Sequence, residues 1–309
     1  MNIVLATDDN FVQHCCVTIT SLLVNNKDVC IYLFTEGLSA ENEMLLSDQT
    51  EKLGGELRVC KIDSSIVKRF PMPPNGGEHI SIATYYRLFV AEILPPDIDK
   101  VIYMDCDMVV RKSFNPLWKT DLSNYAIGAV FQSMGNSQTR DKIRLMMPAK
   151  YGYFNAGLLL INLKYWRDND VTNTLLSFIR DHYDVIKQHD QDVLNACLYD
   201  KVRPISYTWN FLPMFFQEGL QFQDYINYHD KIKDPANIHF VSVPKPWDFG
   251  CSNLYKDEYY KYLSMTPFKE FKPTFVWGKY WKSVVKVKLV YLIGKVDIFR
   301  IRKFLIRKS

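Results

Sequence analysis

The stretch VIYMDCDMVV, residues 101–110, sets two aspartates, Asp105 and Asp107, inside an otherwise apolar run. Carboxylates are rarely buried unless they are paired or bind a metal. The run is predicted to be a single strand, on which alternate side chains point the same way, so that both carboxylates can share one ion. A solvated strand end is the alternative, because an isolated D-x-D pattern occurs by chance in many chains.

The chain around this stretch alternates between strand and helix patterns. Before it, residues 2–61 predict the order β-α-β-α-β, and residues 80–94 (ISIATYYRLFVAEIL) predict a helix. After it, residues 154–166 predict an apolar strand entering a helix, residues 190–200 a helix opened by acids, and residues 238–249 a strand ending in a Pro-rich loop. This order predicts an α/β fold with a mostly parallel sheet flanked by helices, and ligands at the carboxyl ends of the strands.

Composition is that of an ordinary globular protein. The chain has 309 residues, of which 48% are apolar and 23% charged, enough for one large domain. Its seven cysteines include no C-x-x-C pair, which favours reduced thiols in a cytoplasmic protein. Neither a secretion signal nor an apolar run of about 20 residues is visible.

Charge is concentrated at the C-terminus. Between Lys279 and Ser309 there are ten Lys or Arg and one acid, Asp297, a net charge of +9 that leaves −5 for the rest of the chain. We therefore predict a domain over residues 1–265 and a basic amphipathic helical tail over 266–309 that lies on an anionic membrane surface. The alternative is a helix packed on the domain. Nucleic acid is not an expected partner, because the basic residues are confined to one end.

Six blocks of sequence, in order, carry a family resemblance. They are IVLATDDNF (3–11), HISIATYYRL (79–88), YMDCDMVV (103–110), YFNAGLLLINLKYW (153–166), HDQDVLN (189–195) and IHFVSVPKPW (238–247). The chain from residue 2 to about 248 resembles glycosyltransferase family 8, retaining nucleotide-sugar transferases with the Rossmann-like GT-A fold. It is most similar to the bacterial lipopolysaccharide and lipooligosaccharide galactosyl- and glucosyltransferases.

The resemblance implies a nucleotide site in the first block. Asp8 and Asn10 would bond the uracil, Phe11 would stack on it, and the backbone at Ala6 would lie nearby; an aromatic face with paired polar groups suits a nucleobase. The alternative for the acidic and amide side chains is a capped helix start.

The resemblance also implies a metal and diphosphate site. Asp105, Asp107 and His239 would bind a divalent ion, and the imidazole favours Mn²⁺ over Mg²⁺. Lys245, between two prolines, would meet the diphosphate. The alternatives are a histidine of the core and a solvated lysine.

Around the donor sugar the resemblance implies Arg87, Asn155, Asp190 and Gln191, of which Gln191, Asp190 and Arg87 would be catalytic. An amide oxygen is a poor nucleophile, so we favour a mechanism in which UDP departs from, and the acceptor attacks, the same face of the sugar. Gln191 would stabilise the positive charge that develops on the sugar ring. An ordinary ion pair and a helix cap are the alternative roles for these side chains.

Two positions concern substrate identity. The galactosyltransferase relatives carry GASID where this chain has GAVFQ, so that Gln132 replaces an aspartate that helps to hold a sugar. His79 resembles a position near the acceptor cleft. Residues 131–152 lie where a lid over the donor would be, although plain surface variation is equally consistent.

The resemblance and the residues together predict an Mn²⁺-dependent retaining hexosyltransferase. It would move galactose or glucose from a UDP-hexose to a lipid-linked or oligosaccharide acceptor in bacterial lipopolysaccharide or capsule assembly, on the inner face of the cell membrane. A glycogenin-like or protein-glucosylating transferase is one alternative. A nucleotide-sugar binding protein without turnover is the other, and Gln132 is the residue that favours it.

Overall fold

The structure is a computed structural model. It describes residues 1–63, 66, 69, 82–131, 136–212, 234–241, 244–251 and 253–273. All statements below concern these residues.

A seven-stranded sheet organises the described chain, with strand order β3-β2-β1-β4-β7-β6-β8. The first four strands in this order run parallel, β7 runs antiparallel to both of its neighbours, and β6 and β8 are parallel to each other. The strands are β1 (Asn2–Ala6), β2 (Cys30–Thr35), β3 (Glu56–Lys61), β4 (Lys100–Met104), β6 (Ile127–Phe131), β7 (Phe154–Asn162) and β8 (Val202–Pro204). The mostly parallel sheet predicted from the sequence is confirmed.

Helices cover the sheet. They are α1 (Val12–Asn25), α2 (Ala40–Lys52), α3 (Val90–Ile93), α4 (Asn115–Trp118), α5 (Asn136–Arg144), α6 (Leu163–Asp168), α7 (Val171–Asp181), α8 (His189–Leu198) and α9 (Lys256–Leu263). Short 3₁₀ helices span Ile82–Phe89, Tyr183–Val185 and Tyr207–Trp209. The helix predicted over 80–94 is therefore mostly 3₁₀ in its described part, and only its last turn is α-helical.

Alternation along the strands fills two apolar layers, one on each face of the sheet. On β1, Val4 packs with one cluster of buried residues, and Ile3 and Leu5 pack with the other. Strands buried on both faces read as continuous apolar runs, which explains the sequence of β4 and β7.

The D-x-D stretch is not a single strand, so that part of the prediction was wrong. β4 ends at Met104, the chain turns through Asp105 to Asp107, and β5 (Met108–Val110) pairs antiparallel with β9 (Asn237–His239) in a second, two-stranded sheet. The hydroxyl of Thr18 on α1 lies 2.8 Å from the carbonyl oxygen of Cys106 and 2.9 Å from that of Met108, and so holds the turn at the sheet edge.

The predicted boundary at residue 265 stays a prediction. Phe268 and Phe271 pack against a core cluster that also contains Tyr262 of α9, and the described chain ends at residue 273. None of the helices in the described ranges is long and apolar enough to cross a membrane.

Candidate active site

A cavity of about 470 Å³ opens at the carboxyl ends of β1 and β4. It is lined by several of the residues singled out in the sequence, namely Ala6, Phe11, Arg87, Asp105, Asp107, Asn155, Asp190, Gln191 and His239. Ligand sites of open α/β sheets occur at this edge. The fold therefore brings residues from six separate sequence blocks to one place.

Three potential metal ligands meet in this cavity. One ligand atom each from Asp105, Asp107 and His239 lie within 4.8 Å of one another. Nε2 of His239 is 3.2 Å from Oδ1 of Asp107 and 3.6 Å from Oδ2 of Asp105. Two carboxylates and an imidazole form a donor set suited to a divalent transition metal.

Two observations indicate that a cation fits here. Oδ1 of Asp107 is buried and faces Nε2 of His239 at 3.2 Å, so that a carboxylate oxygen and a ring nitrogen converge on one point away from solvent. Gly157 faces the same point: a Cβ there would lie 2.1 Å from Cε1 of His239 and 2.8 Å from Oδ2 of Asp105. Although burial raises the pKa of Asp107, the Lys245 ammonium group, 2.6 Å from Oδ2, holds it below its usual range, so the carboxylate is charged.

Arg87 links Asp105 to Asp190. Its Nη2 lies 2.9 Å from Oδ1 of Asp105 and its Nε 2.8 Å from Oδ2 of Asp190, while Nη1 donates to the carbonyl of Ala156. Burial raises the pKa of Asp190 to about 7, against the opposing effect of Arg87, and the nearby charge of Asp105 adds to the rise. The ion pair considered from the sequence is thus present, inside the cavity.

Gln191 lies in the first turn of α8, and its amide oxygen is fully engaged. Oε1 accepts hydrogen bonds from the backbone N–H of Ala156 and from Nδ2 of Asn155, each at 3.0 Å. Nε2 donates to the hydroxyl of Tyr153 at 3.1 Å. An amide oxygen has two lone pairs, and both are used here.

Lys245 is not a solvated side chain. Its Nζ lies 2.6 Å from Oδ2 of Asp107. Its loop is anchored by Trp247, which stacks on the His14 ring at a centroid distance of 3.6 Å. Burial lowers the pKa of His14 to about 4, so the stacked imidazole is neutral.

Two of the four residues predicted to hold the uridine lie in the cavity wall. Ala6 and Phe11 line it, and Phe11 packs edge-on against Trp247. Oδ1 of Asp8 accepts from the backbone N–H of Phe11 at 3.1 Å in the turn before α1, but no side chain caps α1, whose N-cap residue is Phe11; Asn10 is exposed. Their role toward a base stays a prediction.

Several predictions lie outside the described residues. Gln132 and His79 are among them, as are parts of the suggested lid and most of the basic tail. The described part of the lid includes α5, whose Ile143 is 72% exposed.

Sequence reasoning missed three residues that shape the site. Thr18 holds the D-x-D turn, Gly157 leaves room for His239 and Asp105, and Oδ1 of Asn210 lies 2.9 Å from Nδ1 of His239. Gly157 lies in the NAG block, so its small size was a usable signal. Neither Thr18 nor Asn210 carried any local signal, because both act through long-range contacts.

Comparison with known proteins gives one consistent result. A model of the family described as "Glycosyl transferase family 8" matches residues 2–251. General stress protein A of Bacillus subtilis is 29% identical over 275 residues, covering 86% of this chain and 94% of the relative. The lipopolysaccharide 1,3-galactosyltransferase of Salmonella typhimurium is 28% identical over 260 residues, covering 80% and 72%.

Among solved structures, a crystal structure of the galactosyltransferase LgtC in complex with donor and acceptor sugar analogs is similar in fold. It superposes with a TM-score of 0.75 at 30% sequence identity, over 86% of this chain and 96% of that one.

Proposed function

The chain belongs to glycosyl transferase family 8, and on this premise we propose that it transfers a hexose, galactose or glucose, from a UDP-hexose with retention of configuration. The acceptor we propose is a lipid-linked or free oligosaccharide of bacterial lipopolysaccharide or capsule assembly. The observation that carries the proposal is the meeting of Asp105, Asp107 and His239 in one cavity, opposite Asp190 and Gln191.

Asp105, Asp107 and His239 would hold Mn²⁺, with Mg²⁺ as the alternative. The buried Oδ1 of Asp107 and the close approach of the His239 ring that Gly157 allows support a cation at this point. When bound, the ion would supply Lewis-acid stabilisation for the diphosphate leaving group. The imidazole ligand favours manganese over magnesium.

The chain's own cation complements that site. Lys245 lies within 2.6 Å of Asp107, close enough for its ammonium group to reach a diphosphate placed beside the carboxylates. The Trp247 stack on His14 fixes the loop that carries it. We propose that Lys245 neutralises charge on the departing UDP as a fixed cation, without donating a proton.

The base and the sugar would occupy opposite ends of the cavity. Phe11 would stack on the uracil beside Ala6, Asp8 and Asn10. Arg87, Asn155, Asp190 and Gln191 would surround the sugar, where Asp190 and Arg87 offer charge-assisted hydrogen bonds to hydroxyl groups.

The contacts of Gln191 support attack and departure on the same face of the sugar. Both lone pairs of Oε1 are already used by Ala156 and Asn155, and an amide is a weaker nucleophile than a carboxylate. The bond from C1 to the phosphate oxygen would break as the acceptor oxygen bonds to C1, and the acceptor proton would pass to the leaving phosphate. The dipole of the Gln191 amide would stabilise the positive charge on the ring. A glycosyl adduct trapped on Gln191 or Asp190 would contradict this mechanism.

UDP release from a panel of UDP-sugars tests the proposal. We expect release from one sugar with Mn²⁺, no release with a chelator, and loss of at least a hundredfold in Asp107→Asn, since the variant removes a charged ligand. Asp121→Asn, an exposed aspartate on another part of the chain, is the matched control. If the protein binds UDP but releases none from any UDP-sugar, with or without an oligosaccharide acceptor, a binding protein without turnover would be favoured.

A further inference from the structure

A bulge in β7 frees two backbone N–H groups beside the candidate site. Pairing between β6 and β7 skips from Ala129 opposite Leu159 to Val130 opposite Asn155, so that the intervening residues of β7 leave the regular ladder. Two of them donate to side chains instead: Ala156 to Oε1 of Gln191 and Gly157 to Oδ1 of Asn155, each at 3.0 Å. Bulges are common next to active sites, where they redirect side chains.

These two N–H groups fix the orientation of the amides that face them. The oxygen and nitrogen of an Asn or Gln side-chain amide are difficult to tell apart by shape alone. A backbone N–H can only donate, so the side-chain atom that faces it must be the oxygen. Oδ1 of Asn155 is therefore an acceptor. Its second partner, 2.7 Å away, must be the Nδ2 donor of Asn210.

The orientation of Asn210 in turn determines where His239 carries its proton. With Nδ2 directed at Asn155, the other end of the Asn210 amide, Oδ1, faces Nδ1 of His239 at 2.9 Å. An oxygen acceptor requires that Nδ1 is protonated. In the neutral ring, the form that binds a metal, the lone pair of Nε2 is then directed toward Asp105 and Asp107, where a metal would lie.

We propose that Asn210 is a positioning residue for the metal site. The β7 bulge fixes the orientation of the Asn155 amide, Asn155 fixes that of Asn210, and Asn210 keeps a proton on Nδ1 of His239, so that Nε2 can bind the ion. We call this chain of hydrogen bonds the relay. Asn210 and His239 are 0% and 3% exposed, which keeps water from replacing this contact. Because Asn155 also donates to Gln191, one relay orients both a metal ligand and a residue facing the donor sugar.

Removal of the relay has a definite consequence. The carboxylates of Asp105 and Asp107 lie 3.6 and 3.2 Å from Nε2 and attract a proton to it. If Asn210 no longer accepts from Nδ1, the neutral ring moves its proton to Nε2 and loses the lone pair needed for the metal.

Nitrogen-15 NMR of the metal-free protein with labelled histidine tests the proton position directly. Spectra at about pH 9, where an ordinary imidazole carries one proton, are assigned with a His239→Gln variant. We expect the wild-type ring to be protonated on Nδ1, Asn210→Leu to shift the proton to Nε2, and Asn210→Asp, which keeps an acceptor, to leave Nδ1 protonated. Asn26→Leu removes a buried amide that bonds Phe114 far from the site, and should leave His239 unchanged.

Mn²⁺ affinity, measured by electron paramagnetic resonance of the free ion, gives the second reading. Outer-shell partners of metal ligands typically contribute 10- to 100-fold to affinity, so we expect a loss of that size in Asn210→Leu and no change in Asn26→Leu. This reading rests on the proposed function, whereas the proton position does not.

The outcomes are distinguishable. Protonation of the wild-type ring on Nε2, or an Asn210→Leu variant that keeps Nδ1 protonated, would overturn the relay whatever the metal does. If the proton moves as expected but wild-type protein binds no Mn²⁺, the relay stands and the proposed metal-dependent function fails.

Discussion

At the scale of single residues, Gly157 is the position where an added methyl group would do most harm. A Cβ there would meet the His239 ring and the Asp105 carboxylate at distances that real Cβ atoms do not show. We expect Gly157→Ala to weaken Mn²⁺ binding at least tenfold, about 1.4 kcal/mol, and to lower the free energy of unfolding by about 1–3 kcal/mol. Metal titration and chemical unfolding measure the two effects.

A matched glycine lies on the neighbouring strand. In Gly128→Ala the new Cβ would meet Ile205 at 3.2 Å, a contact that small shifts of a core side chain can relieve. This variant should bind Mn²⁺ as the wild type does. Unchanged metal affinity in Gly157→Ala would mean that the three ligands do not act together.

Asp190 makes stability depend on pH in an unusual direction. Its pKa rises from an unfolded value near 3.8 to about 7 because the carboxyl group is buried. The folded protein therefore binds more protons than the unfolded chain between these values, and the group's contribution to stability falls as pH rises. At most about 1.4 kcal/mol is lost per pH unit over that window.

Asp190→Asn removes this titration. In the metal-free protein, we expect the difference in unfolding free energy between variant and wild type to move in favour of the variant between about pH 4 and 7. Urea unfolding at a series of pH values measures it. A difference that is constant across the window would show that Arg87 keeps Asp190 charged throughout.

At the scale of elements, α1 holds the D-x-D turn in place. The hydroxyl of Thr18 is fully buried and lies between the carbonyl oxygens of Cys106 and Met108, on either side of Asp107. Thr18→Val keeps the shape but removes the donor. We expect a loss of about 1–3 kcal/mol in stability and about tenfold in Mn²⁺ affinity, because the turn that presents Asp107 loosens.

Thr20 provides the control on the same helix. It is equally buried, but its hydroxyl accepts from Gln49 of α2, away from the cavity. Thr20→Val should lower stability and leave metal affinity unchanged. Equal losses of affinity in both variants would point to a general weakening of α1, with no specific effect on the turn.

Local patterns in the sequence predicted some elements and missed others, for a physical reason. β1, β2 and β3 alternate with helices and carry their own apolar runs, so their pattern was sufficient. The split between β4 and β5 depends on pairing of Met108 with His239, more than a hundred residues away. β8 has only three residues, Val202–Pro204, too few for any periodicity.

At the scale of the whole molecule, the site exists only because distant segments meet at one edge of the sheet. The resemblance placed His239 with the two aspartates, and the fold brings them together. No pattern could place Asn210 there, because its position depends on a 3₁₀ turn and on a bulge in β7. The strongest concentration of charge in the sequence lies beyond the described residues, between Lys279 and Ser309.

That charge leads to a prediction about where the enzyme works. Residues 279–309 carry ten basic side chains among Trp, Tyr, Leu and Ile, and each Lys or Arg near an anionic surface contributes about 1 kcal/mol of attraction. We expect the full chain to sediment with vesicles containing anionic lipid and not with neutral ones, less strongly at high salt, and truncation after Lys279 to abolish it. A variant with Lys282, Lys286 and Lys288 changed to Gln keeps the aromatic residues and should bind more weakly. Unchanged sedimentation of the truncated chain would show that the tail is not the membrane anchor.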